Sequence, residues 1–221
     1  MKWLIQWIIL KKILSTTEGR DKICKLFQYT AKIALWLKYT QSEKAKLLTA
    51  HMSLTRKIIR LAHGLEPLVE SFDLPPLSTT NNILTALNTS LSLASDLADD
   101  VICLGKMKLI HSTWIDRATP ISDRCWFGTI WLDLIENIRS TDALIQKRNL
   151  AKKSDHSDQV QTLDDKIFIH RASFVKLLAD LIFCSVDVLH LGDRVSPGWQ
   201  NISGMVSASI GTFKLYKKFS T

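Results

Sequence analysis

The sequence predicts an all-α fold: a membrane-associated helical bundle with basic amphipathic helices at its N-terminal end and a hydrophobic helix pair at its C-terminal end. Three observations carry this. Apolar residues recur at helical spacing along nearly the whole chain, no segment alternates as a strand would, and 8 Gly and 5 Pro are few for 221 residues. The apolar fraction of 46% exceeds the charged fraction of 23%, and the mean hydropathy of +0.06 is high for a soluble protein and low for a polytopic one. The charge is also lopsided. Residues 1–63 hold 13 Lys/Arg against Glu18, Asp21 and Glu43, a net of +10, whereas the remainder is −2. A basic end on a nearly neutral body implies a polyanionic partner there, lipid or nucleic acid. Seven Trp favour lipid, because indole rings settle at the membrane interface. No RNP, zinc-finger or basic-zipper pattern supports nucleic acid.

The elements follow in order. Residues 1–65 form a basic amphipathic membrane-binding region. Its first fourteen residues, MKWLIQWIILKKIL, read as a short interfacial helix. Lys11 and Lys12 cut the apolar run short and no small-residue cleavage site follows, so a signal peptide is not expected. Thr16 or Thr17 caps a helix through Tyr39, with Glu18 and Asp21 in its first turn. Ser42 caps a third, cationic segment to about Leu65. Gly64, Pro67, Pro75 and Pro76 mark 66–81 as a linker. Central helices occupy 82–148, one from about Asn82 to Ile110 and another from about Asp123 to Lys147, with a turn near Thr113–Pro120. Residues 149–162 read as a polar loop. The final region, 163–221, holds helices at about Ile167–Leu191 and Gly198–Lys218.

The stretch from Gly19 to Tyr39 is the most informative. Wound at about 100° per residue, it places Ile23, Leu26, Phe27, Ile33 and Leu37 on a broad apolar arc. Lys22, Lys25 and Lys32 fall on a narrower opposite arc, with Tyr29 and Trp36 among them, and Arg20 and Lys38 sit at its ends. These twelve residues are the candidate membrane-binding set. The apolar side would enter the acyl region while the lysines reach anionic headgroups. The same pattern also describes a buried bundle helix with a basic outer face.

Near the other end, Ser203, Ser207 and Gly211 recur every four residues, as do Gly204 and Ala208. Such spacing lets a neighbouring helix approach closely, in membrane pairs or in tight soluble bundles. A span needs about 20 mainly apolar residues. Leu177–Leu191 is interrupted by Asp180 and Asp187, so those acids must face protein, water or the interface.

Catalytic patterns are weak. Asp96, Asp99 and Asp100 share one helical face, as in a magnesium-binding enzyme of prenyl diphosphates, with Asp180 and Asp187 as the only second cluster. Pairing with Lys106, Lys108 or Arg117 is the alternative. The six histidines lack ligand spacing, and no nucleophile elbow, phosphate loop or dinucleotide fingerprint is present. The four cysteines are isolated and read as reduced structural thiols. Neither an enzyme, nor a metal or cofactor, nor a nucleic-acid partner is expected.

Four segments in order resemble the peroxin-eleven family (peroxisomal biogenesis factor eleven), which elongates peroxisomal membranes before fission. They are Glu18-Gly19-Arg20-Asp21-Lys22 with Leu26-Phe27-Gln28-Tyr29, then Arg56-Lys57-Ile58-Ile59-Arg60-Leu61, then Asp96 with Asp99-Asp100, and last Gly198 with Ser203-Gly204, Ser207 to Gly211 and Tyr216. The resemblance implies a peroxisomal membrane protein that binds anionic phospholipid through its N-terminal amphipathic helix and deforms the membrane. It also implies self-association and recruitment of the fission machinery. The alternatives are a pore passing small metabolites, lined by Asp180 and Asp187, and a soluble all-α enzyme.

Overall fold

The computed structural model describes residues 2–39, 42–153 and 157–220, and among them it is helical almost throughout, with no strand. Eight helices follow one another: α1 (Lys2–Ser15), α2 (Thr17–Trp36), α3 (Glu43–Ile59), α4 (Leu65–Phe72), α5 (Thr80–Lys106), α6 (Thr113–Lys153), α7 (Ser157–Val188) and α8 (Pro197–Ser220). Side chains fix several starts. Thr16 accepts from the Gly19 amide at 3.1 Å, Ser42 from Lys44 at 3.2 Å and Thr79 from Asn82 at 3.4 Å, each satisfying an amide that has no partner inside its helix.

Three stretches differ from the sequence expectation. Part of 66–81 is helical, because Pro67 is the third residue of α4, where a missing N–H leaves no hydrogen bond unmade. The turn expected at Thr113–Pro120 is the start of α6, and Pro120 lies inside that helix, at its eighth residue. The polar stretch 149–162 is helical on both sides of 154–156. Polarity misleads here because the facing helix ends are tied together: Arg148 meets Asp164 at 3.2 Å and Ala151 is buried.

The packing order is α2 on α3, α3 on α5, α5 on α6, α6 on α7, α7 on α8 and α8 back on α2. This closes a ring of six helices, and among the described residues no two backbones approach each other across it, so that only side chains meet in the middle. α4 packs on α5, and α1 lies against α2 and α8. The apolar core sits accordingly in the seams. Ile130, Leu134 and Cys184 join α6 to α7, Ala98, Ile102 and Ala118 join α5 to α6, and Ile9, Ile13 and Leu215 join α1 to α8.

The seam between α2 and α8 is set by small residues. A Cβ on Gly198, Gly204 or Gly211 would meet Trp36, Tyr29 or Lys22 respectively, so the two helices run antiparallel. Ser203, Gly204, Ser207, Ala208 and Gly211 are all buried, and the stripe they form faces α2 as well as lying in the C-terminal pair.

This seam makes a contrast. Gly204→Ala drives a methyl into the Tyr29 ring and should destabilise by about 1–3 kcal/mol through overpacking. Gly211→Ala meets only the flexible Lys22 stem at 3.2 Å and should be neutral or mildly stabilising. Thermal melting of the two variants checks this.

Candidate functional site: a charged interior behind an apolar surface

The hollow of the ring is polar. A cavity of about 510 Å³ is lined by Asp21, Lys25, Gln28 and Lys32 of α2, Arg56 and Lys57 of α3, Asp96 and Asp99 of α5, Asp123 of α6, and Lys176, Asp180 and Asp187 of α7. Arg56 donates from Nε to Asp21 at 2.9 Å and from a terminal nitrogen to Gln28 at 2.8 Å. Lys57 reaches Asp99 at 2.9 Å, and Ser122 donates to the same carboxylate at 3.0 Å. Arg60 lies 3.7 Å from Asp21 and 3.6 Å from Asp99.

A second knot joins α2, α7 and α8. Lys25 donates to Ser207 at 2.8 Å and lies 3.4 Å from Asp180, which also takes Lys176 at 3.0 Å. Burial opposes the charge on Asp180, but Lys25 and Lys176 outweigh it and hold its carboxyl below the usual range. Lys25 fares worse. Burial pulls it down to about 8, with Arg56, Lys22 and Lys176 adding to the effect against Asp180. The two shifts differ in sense because the acid has two cations while Lys25 shares one acid in a crowd of cations.

The three lysines expected at lipid headgroups therefore turn inward. Lys22 and Lys25 pack toward α8, and Lys32 lies 5.1 Å over the Tyr29 ring. Tyr29 is buried, edge-on to Phe183 at 5.9 Å, and Trp36 covers Gly198. The reason is chemical: α5, α6 and α7 bring carboxylates to this side of α2, and buried cations need them. The opposite arc faces out. Phe27 is 61% exposed, Leu37 is also exposed, and Ile23, Leu26 and Ile33 are half-buried. Arg20 and Lys38 are exposed at the two ends.

The Asp-rich face of α5 is used in the ring. Asp99 pairs with Lys57 and Arg60, Asp96 lies 3.2 Å from His63, and Asp100 accepts from the Ala62 amide at 3.1 Å. The partners come from α3 and the turn after it, in place of the expected Lys106, Lys108 or Arg117. Asp187 accepts from Gln200 at 2.9 Å.

The most exposed apolar surface lies on a helix outside the candidate membrane-binding set. On α1, Trp3 is 77% and Trp7 65% exposed, and Leu4, Ile5, Ile8, Leu10 and Leu14 are exposed too. Among the described side chains of this helix, Ile9 and Ile13 are the buried ones. Lys11 and Lys12 are exposed beside them. The signal was in the sequence: two Trp among Ile and Leu, closed by two lysines.

The model of the family described as Peroxisomal biogenesis factor 11 (PEX11) matches residues 9–216. This chain belongs to the PEX11 family. Membership makes it a peroxisomal membrane protein of peroxisome biogenesis, in a family of biogenesis factors rather than of enzymes. No curated protein and no solved structure matches it. Among the described residues of this PEX11 chain, no helix is long and apolar enough to cross a membrane.

The buried lysines give this PEX11 chain a pH signature. The unfolded chain keeps the Lys25 proton to about pH 10.4, whereas the folded chain releases it near about 8. The unfolded state thus binds more protons between these values, and stability rises with pH across them. Lys22 and Lys32, also lowered by burial, act in the same sense. The thiols of Cys24, Cys103 and Cys184, raised by burial, act oppositely as free thiols ionise near about 8.5, inside the same window, so the lysine is read by difference. The melting temperature of wild type minus that of Lys25→Met should rise between about pH 7 and 9. A difference that stays flat or falls would count against the buried-lysine account.

Proposed function

We propose that this protein binds anionic phospholipid at the peroxisomal membrane through α1 and the outer arc of α2. Inserted into one leaflet, these helices bend and elongate the membrane and so promote peroxisome division. The observation that supports this most is the outward apolar surface: Trp3, Trp7 and their neighbours on α1, then Phe27 and Leu37 on α2. Seven exposed side chains on α1, at about 1 kcal/mol each for transferring the exposed part, amount to roughly 7 kcal/mol of anchoring. Lengths of about 21 Å for α1 and about 30 Å for α2 displace headgroups on one side only. The headgroup contacts in this reading are Lys11, Lys12, Arg20 and Lys38, which are exposed, in place of Lys22, Lys25 and Lys32. Self-association and recruitment of the division machinery complete the proposal.

The expected outcome is that Phe27→Glu abolishes tubulation of anionic vesicles and that Trp3→Ser with Trp7→Ser strips the protein from them in flotation. Changing Lys11, Lys12, Arg20 and Lys38 to Ala should weaken binding by about 1 kcal/mol per charge, most visibly at low salt. Undiminished tubulation by the Phe27→Glu variant sinks the wedge mechanism.

The cavity inside the ring favours one second reading, passage of small metabolites. Both acids expected to line a pore border this cavity; Asp180 is held in its lysine pairs, which makes Asp187 the one to change. In that reading Asp187→Leu changes the conductance of the reconstituted protein. Unchanged conductance removes Asp187 from the path.

A further inference from the structure

We propose that a groove between α2, α7 and the C-terminal half of α8 binds a phosphate monoester, either as a lipid headgroup or as a free phosphoryl anion. The groove has a volume of about 730 Å³ and gathers Lys22, Lys166, Lys176, Lys214, Lys217 and Lys218 from three helices, with Glu18 as the one carboxylate on its wall among the described residues. Asp165 engages Lys217 at 2.7 Å and Asp180 engages Lys176 at 3.0 Å. Lys214 donates to the Ser173 hydroxyl at 2.6 Å, which is a neutral partner. No ion pair within 4.0 Å is made by Lys22 or Lys214 among the described residues. Burial lowers both, and Lys176 lowers both further by repulsion.

Three ammonium groups drawn together and partly desolvated are unfavourable unless an anion shares the space. The chemistry of the cluster selects that anion. Lysines are compact point charges without the planar fork that suits a carboxylate, and they fit a compact, doubly charged phosphoryl group. Its position bears on the source. Leu215 lines the groove and packs on Ile9 and Ile13 of α1, so the groove adjoins the helix with the exposed tryptophans. The inference rests on the membrane reading above only for its lipid source; the phosphoryl chemistry stands apart from it.

The test uses the full chain in detergent and on vesicles, with Lys22→Gln/Lys214→Gln as the variant. Neither substitution orphans an acid, so the variant should melt at or above the wild-type temperature. On phosphatidylcholine vesicles carrying phosphatidic acid, a monoester, the variant should bind about thirtyfold more weakly than wild type, at about fivefold per lysine. Against phosphatidylglycerol, a diester, the difference should be smaller. Glycerol phosphate should raise the melting temperature of the wild type and leave the variant unmoved. A response to glycerol phosphate without preference for phosphatidic acid assigns the site to a free phosphoryl ligand; the reverse assigns it to the headgroup. Equal behaviour of variant and wild type in both arms overturns the site. A Phe27→Glu protein that still shows the glycerol phosphate shift but no longer tubulates vesicles separates this site from the wedge.

Discussion

Asp21 of α2 and Asp99 of α5 hold Arg56, Lys57 and Arg60, all from α3 and its C-terminal end, at 2.9–3.7 Å. This is the point at which the ring of helices closes. The seam between α3 and α5 is the smallest in the ring, and among the described residues no buried apolar cluster bridges it. What joins the two helices is charge. Buried pairs are costly to desolvate and add little net stability, but losing one partner strands the other, so they fix which helix faces which. Burial disfavours ionisation of Asp99, yet Lys57 and Arg60 outweigh it and keep the carboxylate charged.

That constraint decides the orientation of everything around it. Once the cations of α3 and the acids of α5 and α7 occupy the hollow, α2 must turn its own lysine stripe inward to share the field. Its Phe27 and Leu37 side then has nowhere to go but out. The same logic leaves Ile83, Leu87 and Leu97 of α5 and Ile182 of α7 exposed. In water such a surface is unfavourable at about 25 cal/mol per Å², and a lipid setting of the kind proposed would remove that penalty. In α7 the same charge that interrupts the apolar run, Asp180, is one of those that hold the ring together.

Much of the fold could be read from the chain. Helical periodicity gave all-α architecture, and Thr16 and Ser42 marked the starts of α2 and α3. Residues that break helices in the interior misled at Pro67 and Pro120, because one sits in a first turn and the other is tolerated within a 41-residue helix. The candidate site was legible in composition and illegible in direction. A stripe of Lys22, Lys25, Tyr29 and Lys32 looks the same facing lipid or facing Asp180. Only the acids of α7, some 155 residues away along the chain, decide between them, and a single helix carries no record of that partner. The small residues of α8 announced a close contact without naming α2 as the helix that fills it.

Lys22 and Lys176 line both the central cavity and the lysine groove, so the two spaces share a wall. Lys176 also contributes to holding Asp180, the acid on which Lys25 depends. Charge on Lys22 and on Lys176 is part of what weakens the charge on Lys25. An anion seated in the proposed groove would offset both, and Lys25 would keep its proton more firmly. Its pairing with Asp180 would strengthen, and with it the junction of α2, α7 and α8. Binding at the groove and closure of the ring are then coupled by electrostatics through a single layer of side chains, and by linkage the coupling runs both ways. A ring held more firmly at that junction also fixes the outer arc of α2. Occupancy of the groove would in this way set how rigidly Phe27 and Leu37 are presented to the surface they are proposed to enter.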